Sequence, residues 1–399
     1  MKILLVNDYA ALTGGAEIGV QMLRDGLRQR GHDARLFASS AQQRKGMRLA
    51  DYQCFGTTSR FRTLLQTANV WAFRRLRRVL KEFQPDVVHV TIFLTQLSPL
   101  ILPLLKNVPS LYHVVWYRPI CPVGTKMLPG GTDCQVPMGV ACYRYQCLPL
   151  YDWAPLMLQM RLWRRWRHAF DLIVANSEAV KRRLIAEGIA PVAVIRNGIV
   201  ARSHRPPLAT PPTVAFVGRL VQEKGLDVLL HAFHTVVTHL PAARLLVAGD
   251  GPERETLRAL IDDLRLSSQV TLLGHLSSSE VEQHCNEAWV QVAPSRWAEP
   301  FGLVAVEAMM RGTAVVASNT GGLAEIIQDG QTGFLVPPGD VDALAAGLLK
   351  LLQDCELAER MGRAGRKVAL AQFQETTYVE KFIALYQTLD HKRKNANDC

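Results

Sequence analysis

The chain of 399 residues has no long apolar run: stretches such as Leu100–Leu105 and Val114–Trp116 stop far short of the ~18–20 residues a membrane-spanning helix needs. It has little cysteine, eight residues in all, too few for a disulfide scaffold, and a reducing compartment would keep most of them as thiols. No secretory signal pattern opens it, because Lys2 leads straight into a strand-like run and then polar Asn7 and Asp8. The expected location is the cytoplasm. The dinucleotide fingerprint Gly-x-Gly-x-x-Gly is missing after the first strand-like run, which counts against a dehydrogenase. Disorder is excluded by a composition that is 48% hydrophobic. Acid is scarce in one half only. Residues 1–200 hold 27 Lys and Arg against 12 Asp and Glu, whereas residues 201–399 hold 19 against 23. Such asymmetry suggests that the first half faces an anionic partner: a membrane surface, a nucleic acid or an acidic substrate.

What is present is a repeated alternation of short β-branched runs with longer helical patterns. The first half predicts strands at Lys2–Val6, Ala34–Ala38, Asp86–Val90, Ser110–Val114, Asp171–Ala175 and Val192–Ile195. The second predicts them at Thr213–Val217, Arg244–Ala248, Gln269–Leu273, Trp289–Ala293 and Ala314–Ala317. Near-continuous apolar strands between helices indicate parallel sheets covered on both faces. The proline-rich stretch Asn197–Pro212 reads as a linker. The expected fold is therefore α/β: two doubly wound, Rossmann-like parallel-sheet domains facing across a cleft. They would span residues 1–204 and 205–375, with a C-terminal helix and tail over 376–399.

Ligands in such sheets sit beyond the carboxyl ends of the strands, and several constellations fall there. Thr13-Gly14-Gly15-Ala16 follows the first strand and opens a helix, offering close backbone approach and free N–H groups to a phosphate; taken singly it is equally a flexible turn. Arg219 and Lys224 lie five residues apart after Thr213–Val217, where they can hold phosphate oxygens or form a solvated charged turn. Gly249-Asp250-Gly251-Pro252 makes a sharp turn into a helix. The most informative segment runs from Glu299 through Pro300, Phe301, Gly302 and Leu303 to Glu307. Glu299 sits in a loop held extended by the following proline. Glu307 sits inside a helix among apolar neighbours, where a charge is costly unless paired or bound to a ligand hydroxyl. Two such carboxylates suit two vicinal diols; the alternative is a capping Glu and a surface Glu.

In this order and spacing, these segments resemble family-four retaining glycosyltransferases of the GT-B fold, which use nucleotide-sugars. The resemblance rests on Gly14-Gly15-Ala16-Glu17, Asn197-Gly198, Gly218-Arg219-Leu220 with Glu223-Lys224-Gly225, and Gly249-Asp250-Gly251-Pro252. It extends to the Glu-x7-Glu pair Glu299/Glu307 and to Gly321-Gly322 with Glu325. It implies that Glu307 binds ribose hydroxyls and Glu299 the sugar of the donor. It implies that Arg219, Lys224 and the Gly15 backbone hold the diphosphate, and that the segment around His275 and Leu276 lines the base pocket. It also implies that His113 reaches the donor sugar, although Val114 stands where an acid often follows; a lone histidine there is otherwise structural. No metal is expected in catalysis. The one Asp-x-Asp triplet, Asp340-Val341-Asp342, follows Pro337-Pro338-Gly339 and reads as a helix N-cap.

Two features stand outside that site. Cys121, Cys134, Cys142 and Cys147 fall within an irregular Gly- and Pro-rich loop. They predict either a structural zinc or scattered buried thiols, since the paired Cys-x-x-Cys of a zinc knuckle is lacking. The segments Arg60–Phe83 and Met160–Phe170 combine Arg clusters with Trp71, Trp163 and Trp166. They suit an anionic membrane surface or are core-facing helices with a solvated basic face. Nucleic acid is not expected as a partner, because no module for it accompanies the charge. The reading that follows is a peripheral membrane enzyme moving a sugar from a nucleotide-sugar to a glycan acceptor, lipid-linked, in cell-surface polysaccharide synthesis. Its rivals are a nucleotide-sugar hydrolase or epimerase of the same fold and a non-catalytic glycan-binding scaffold.

Overall fold

In the structure, a computed structural model, residues 1–11, 14–42, 49–59 and 62–397 are described, with side chains to 393. Thr13 of the glycine motif and Arg60 of the first basic segment lie outside these. Every expected run of β-branched residues is a strand. The first unit takes in Met1–Pro129, Cys134–Gly198 and the segment from Glu375 onward. Its described strands are β1 (Lys2–Tyr9), β2 (Asp33–Ser39), β3 (Tyr52–Cys54), β4 (Val87–Val90), β5 (Ser110–Val114), β6 (Leu172–Ala175) and β7 (Val192–Val194). All are parallel, in the order β3-β2-β1-β4-β5-β6-β7. The second unit, essentially Ile199–Gln374, holds β8 (Thr213–Val217), β9 (Arg244–Ala248), β10 (Val270–Gly274), β11 (Val290–Ala293), β12 (Ala314–Ser318) and β13 (Gly333–Val336). These too are parallel, ordered β10-β9-β8-β11-β12-β13.

The helices are α1 (Gly15–Gln29), α2 (Arg62–Thr67), α3 (Val70–Phe83), α4 (Ala141–Arg144), α5 (Leu150–Trp166), α6 (Glu178–Ala186), α7 (Leu226–His239), α8 (Arg254–Asp263), α9 (Ser278–Cys285), α10 (Leu303–Arg311), α11 (Leu323–Ile326), α12 (Val341–Leu352), α13 (Cys355–Gln372) and α14 (Glu375–Asn397). Asp340 caps α12, its carboxylate accepting the Ala343 N–H at 2.9 Å.

Two edge strands, β3 and β13, add to the expected set. At three and four residues they are too short to show a period of two, and only pairing with β2 and β12 makes them strands. The supposed linker also proves tied down. Ile199 donates its N–H to the Phe373 carbonyl at 2.8 Å. The buried Arg205 bonds the Gly312 carbonyl at 3.1 Å and pairs with Glu359 at 3.1 Å. The boundary between units thus falls at 198/199 rather than 204/205.

Alternation along β5 sorts the core of the first unit. Tyr112 points to the face where Phe93, Trp163 and Phe170 gather, and His113 to the face covered by α14. There Tyr378, Val379, Phe382 and Tyr386 of α14 join Val20, Leu23 and Leu27 of α1 in one apolar cluster. Fully burying a side chain of this size contributes roughly 1.5–3 kcal/mol.

Candidate functional site

Crevices in open parallel sheets lie where strand order reverses. In the second unit that point is between β8 and β11. The loops leaving these strands, 218–225 and 294–302, carry Arg219, Lys224 and Glu299. Backbone bonds lace them to their neighbours. Gly218 N–H donates to the Ala248 carbonyl at 3.0 Å, Leu220 to Asp250 at 3.0 Å, Arg296 to Glu223 at 2.9 Å and Gly322 to Glu299 at 2.8 Å. Two glycines are required by this close approach. At Gly249 (φ 151°) a Cβ would lie 1.8 Å from the Gly218 oxygen, and at Gly321 (φ 57°) 2.3 Å from the Glu299 oxygen. The Gly-rich turns therefore pack loop on loop and hold the charged side chains in place.

Glu299 is buried. Its Oε1 accepts from Lys224 Nζ at 2.8 Å and from the Ser295 hydroxyl. Lys224 also sits 5.8 Å from the Trp297 ring centroid, a cation–π distance. Arg219 is exposed and has no ion pair among the described residues. Glu307 lies half-buried on α10, which starts at Gly302 and ends at Gly312, both left-handed. Burial pushes its carboxyl up from the usual range; Arg202 and Arg311 partly offset this and Glu282 adds to it. Arg202 Nη2 is 3.7 Å from Glu307 Oε1, an ion pair without a hydrogen bond, while the same guanidinium reaches Glu282 at 3.7 Å and donates to Ser278 Oγ at 2.8 Å. Arg311 donates through Nη2 to Gln291 Oε1. Glu307 is thus a carboxylate taken out of water with no strong donor, suited to accept from ligand hydroxyls.

The remaining expected residues divide. His275 is exposed and Leu276 half-buried just past β10, where the Gly249 N–H donates to the Gly274 carbonyl at 2.7 Å. Leu303 is the half-buried first residue of α10. Phe301 has its ring buried, 5.8 Å from that of Phe373, so its side chain belongs to the core. Gly14 and Gly15 start α1 in the first unit. There the Glu17 carboxylate, buried and pushed up in pKa by that burial, bonds a backbone N–H of the same turn.

His113 is a correction. It is buried on the inner face of β5 against Phe382 at 5.1 Å and His89 at 5.5 Å between centroids. Its Nε2 has no partner among the described residues, and burial lowers its pKa to about 3. It is a neutral core residue. Its neighbour His89 shares a 2.6 Å hydrogen bond with the Tyr386 hydroxyl. The four clustered cysteines are another. They are free thiols, and no group of three or more His, Cys, Asp or Glu among the described residues is arranged to hold a metal ion. The Cys134 and Cys147 thiols point at the carbonyls of Val136 (3.7 Å) and Tyr145 (3.9 Å). Burial raises the pKa of Cys142 and Cys147, and the neighbouring thiols add to the rise.

Two residues of the site escape sequence reasoning, Ser295 and Arg202. Ser295 carries a signal, its place just past β11. Arg202 carries none, since its partners lie 76 to 105 positions away in α9 and α10.

Two family profiles match in succession, "Glycosyltransferase Family 4" over residues 13–203 and "Glycosyl transferases group 1" over residues 202–368. Together they take in most of the chain, which belongs to glycosyltransferase family 4 and has the GT-B fold. A glycogen synthase of Mycobacterium tuberculosis is 36% identical over 207 residues, 51% of this chain and 50% of the relative. A GDP-mannose-dependent phosphatidylinositol monomannoside mannosyltransferase of the same organism is 36% identical over 176 residues, 43% of this chain and 46% of the relative. The matches thus span about half the length of these relatives. Among solved structures, sucrose-phosphate synthase from Thermosynechococcus elongatus superposes with a TM-score of 0.74 at 22% identity, covering 97% of this chain and 98% of that one. Anabaena HepE, solved with UDP and glucose, gives 0.71 at 21% identity, covering 97% and 100%. Among the described residues no helix is long and apolar enough to cross a membrane.

Proposed function

We propose that the chain is a retaining glycosyltransferase that moves a sugar from a nucleotide-sugar to a glycan acceptor, lipid-linked, in building a cell-surface polysaccharide. The observation that carries this is the pairing of Lys224 with the buried Glu299 at the strand-order reversal, with the under-bonded Glu307 behind it on α10. The name of the mannosyltransferase relative and the UDP and glucose in the HepE structure support the donor class and a lipid-borne acceptor.

In this reading Glu307 accepts hydrogen bonds from two ribose hydroxyls, and Glu299, held by Lys224 and Ser295, accepts from hydroxyls of the donor sugar. His275 and Leu276 border the base. As the bond from the sugar to the diphosphate breaks, positive charge builds on the sugar and negative charge on the leaving oxygen. Arg219 and Lys224 stabilise that oxygen as preorganised cations. The acceptor oxygen bonds to the same face of the sugar, and its proton passes to the departing diphosphate. Charge neutralisation is assigned to these side chains rather than to a metal, because the Asp340 carboxylate is already spent on capping α12.

A thermal-shift screen of nucleoside diphosphates and nucleotide-sugars tests the reading, since a ligand of the folded state raises the midpoint by mass action. At least one member should raise the midpoint of the wild type and fail to raise that of Glu307→Ala. NMR of the product from an accepted donor should show the anomeric configuration kept. A panel without any binder, or an inverted product, overturns it.

A further inference from the structure

Helices α3 and α5 begin eighty residues apart in sequence and both belong to the first unit. The segment Pro99–Leu105 packs against both. Short α2 is pinned to α5 by Thr63 Oγ1 on Asp152 at 2.6 Å and Thr67 Oγ1 on the Pro155 carbonyl at 2.9 Å. Each helix spends its apolar stripe inward. α3 buries Ala72, Leu76, Val79 and Phe83, and α5 buries Leu156, Met160 and Trp163.

What remains outward is the same mixture on both. Trp71 is 58% exposed with its ring 5.4 Å from that of the half-exposed Phe55; Leu64 is 64% exposed on α2 and Leu158 51% on α5. Beside them stand exposed Arg74, Arg77 and Arg78 of α3 and Arg161, Arg164 and Arg165 of α5. None of these six makes an ion pair among the described residues, and Asp152, the acid of α5, is engaged by Thr63. A solvated basic face alone does not account for large apolar side chains left in water among unneutralised arginines. An amphipathic boundary with negative headgroups satisfies both, burying the apolar groups and pairing the cations.

We propose that the outer face of α2, α3 and α5 docks the protein on an anionic lipid bilayer, with Trp71, Phe55 and Leu64 entering the boundary between headgroups and acyl chains. The partner is a lipid surface rather than a nucleic acid because the face presents aliphatic groups with its cations. The proposal stands independently of the donor site, and its test reads binding without turnover.

The full chain is sedimented with vesicles of phosphatidylcholine alone and of phosphatidylcholine mixed with phosphatidylglycerol. Binding should need the anionic lipid and weaken with salt. The triple variant Arg74→Gln, Arg77→Gln, Arg78→Gln should bind about a hundredfold more weakly, with an unchanged thermal midpoint because the positions are exposed. Brominated acyl chains should quench tryptophan emission in the wild type and much less in Trp71→Phe. Equal binding to both vesicle types, or quenching that survives Trp71→Phe undiminished, overturns the proposal. So does a duplex oligonucleotide that binds through the same arginines and leaves no binding to anionic vesicles.

Discussion

In the first unit strand order reverses between β1 and β4, and the acid at that point, Asp8, is fully consumed. Its Oδ1 accepts the N–H groups of Gln96 (2.9 Å) and Leu97 (2.8 Å), and its Oδ2 the N–H (2.6 Å) and hydroxyl (2.5 Å) of Thr95. In the second unit the reversal falls between β8 and β11, and charges there are left available. Arg219 is exposed and makes no ion pair among the described residues, Lys224 pairs with Glu299 and faces the Trp297 ring, and Glu307 has an ion pair but no donor. The two sheets follow one plan. A charge whose bonds are all supplied by its own loop builds the fold; one whose bonds are incomplete awaits a ligand.

The strongest way to break this comparison is to remove both acids. Asp8→Ala strands four donor groups, the Gln96 and Leu97 N–H groups fully buried, and should destabilise the first unit by about 3–5 kcal/mol. Glu299→Gln should destabilise the second unit less than Asp8→Ala does the first, because Gln can still accept from Lys224 and Ser295, and lower turnover by about 10²–10³-fold, the cost of a misplaced polar group in an active site. Denaturant titration and steady-state rates read the two. An Asp8 variant of native stability, or a Glu299 variant of native rate, removes the contrast. Next in size, Glu307→Ala should weaken nucleoside diphosphate binding by roughly 10–150-fold, equivalent to 1.5–3 kcal/mol, as measured by titration calorimetry.

Smaller again is the effect of His113, which the comparison assigns to the core. Its pKa, about 3 when folded, is below that of an exposed histidine, ~6.5. The unfolded chain therefore binds the extra proton: the native state is fully favoured above about pH 6.5 and loses stability as pH falls toward 3. His113→Leu should remove that part of the acid slope, gaining on the wild type at pH 5 relative to pH 8, with rates unchanged. Loss of activity without this pH signature would return His113 to the active site.

The smallest expected effect concerns Arg202. Nucleotide affinity needs Glu307 ionised, so affinity should fall as pH drops through the raised pKa of that group. Arg202→Met removes a nearby cation and should move the fall to higher pH, whereas Arg202→Lys should retain most of the wild-type profile. An unmoved acid limb in the Met variant, measured as dissociation constant against pH, would mean that Arg202 has no electrostatic hold on Glu307.

Much of the second unit's crevice is legible in the amino-acid sequence. Arg219 and Lys224 stand beside glycines in the loop after a strand, Glu299 stands before a proline in such a loop, and Glu307 lies inside a helix, as those local signals indicate. His113 misleads because a strand end and a strand interior look alike in sequence; which face covers the ring depends on α14, more than 260 positions later. The Phe301 ring likewise takes its place from a distant partner, Phe373. In the cysteine loop, the clustering of four cysteines leaves a metal and free thiols both open, while the Cys134 and Cys147 thiols turn to backbone carbonyls nearby.

By itself the sequence determined where strands and helices fall, because β-branched runs, caps and glycines act through neighbours a few positions away. It also determined the charge imbalance between halves, which is a property of composition. Only the tertiary structure decided that β3 and β13 are strands, that Asp8 is satisfied and Glu307 is not, and that Pro99–Leu105 packs against both α3 and α5. Each of these depends on pairing and burial between residues far apart in the chain, and such contacts leave no periodic trace in the segments that make them.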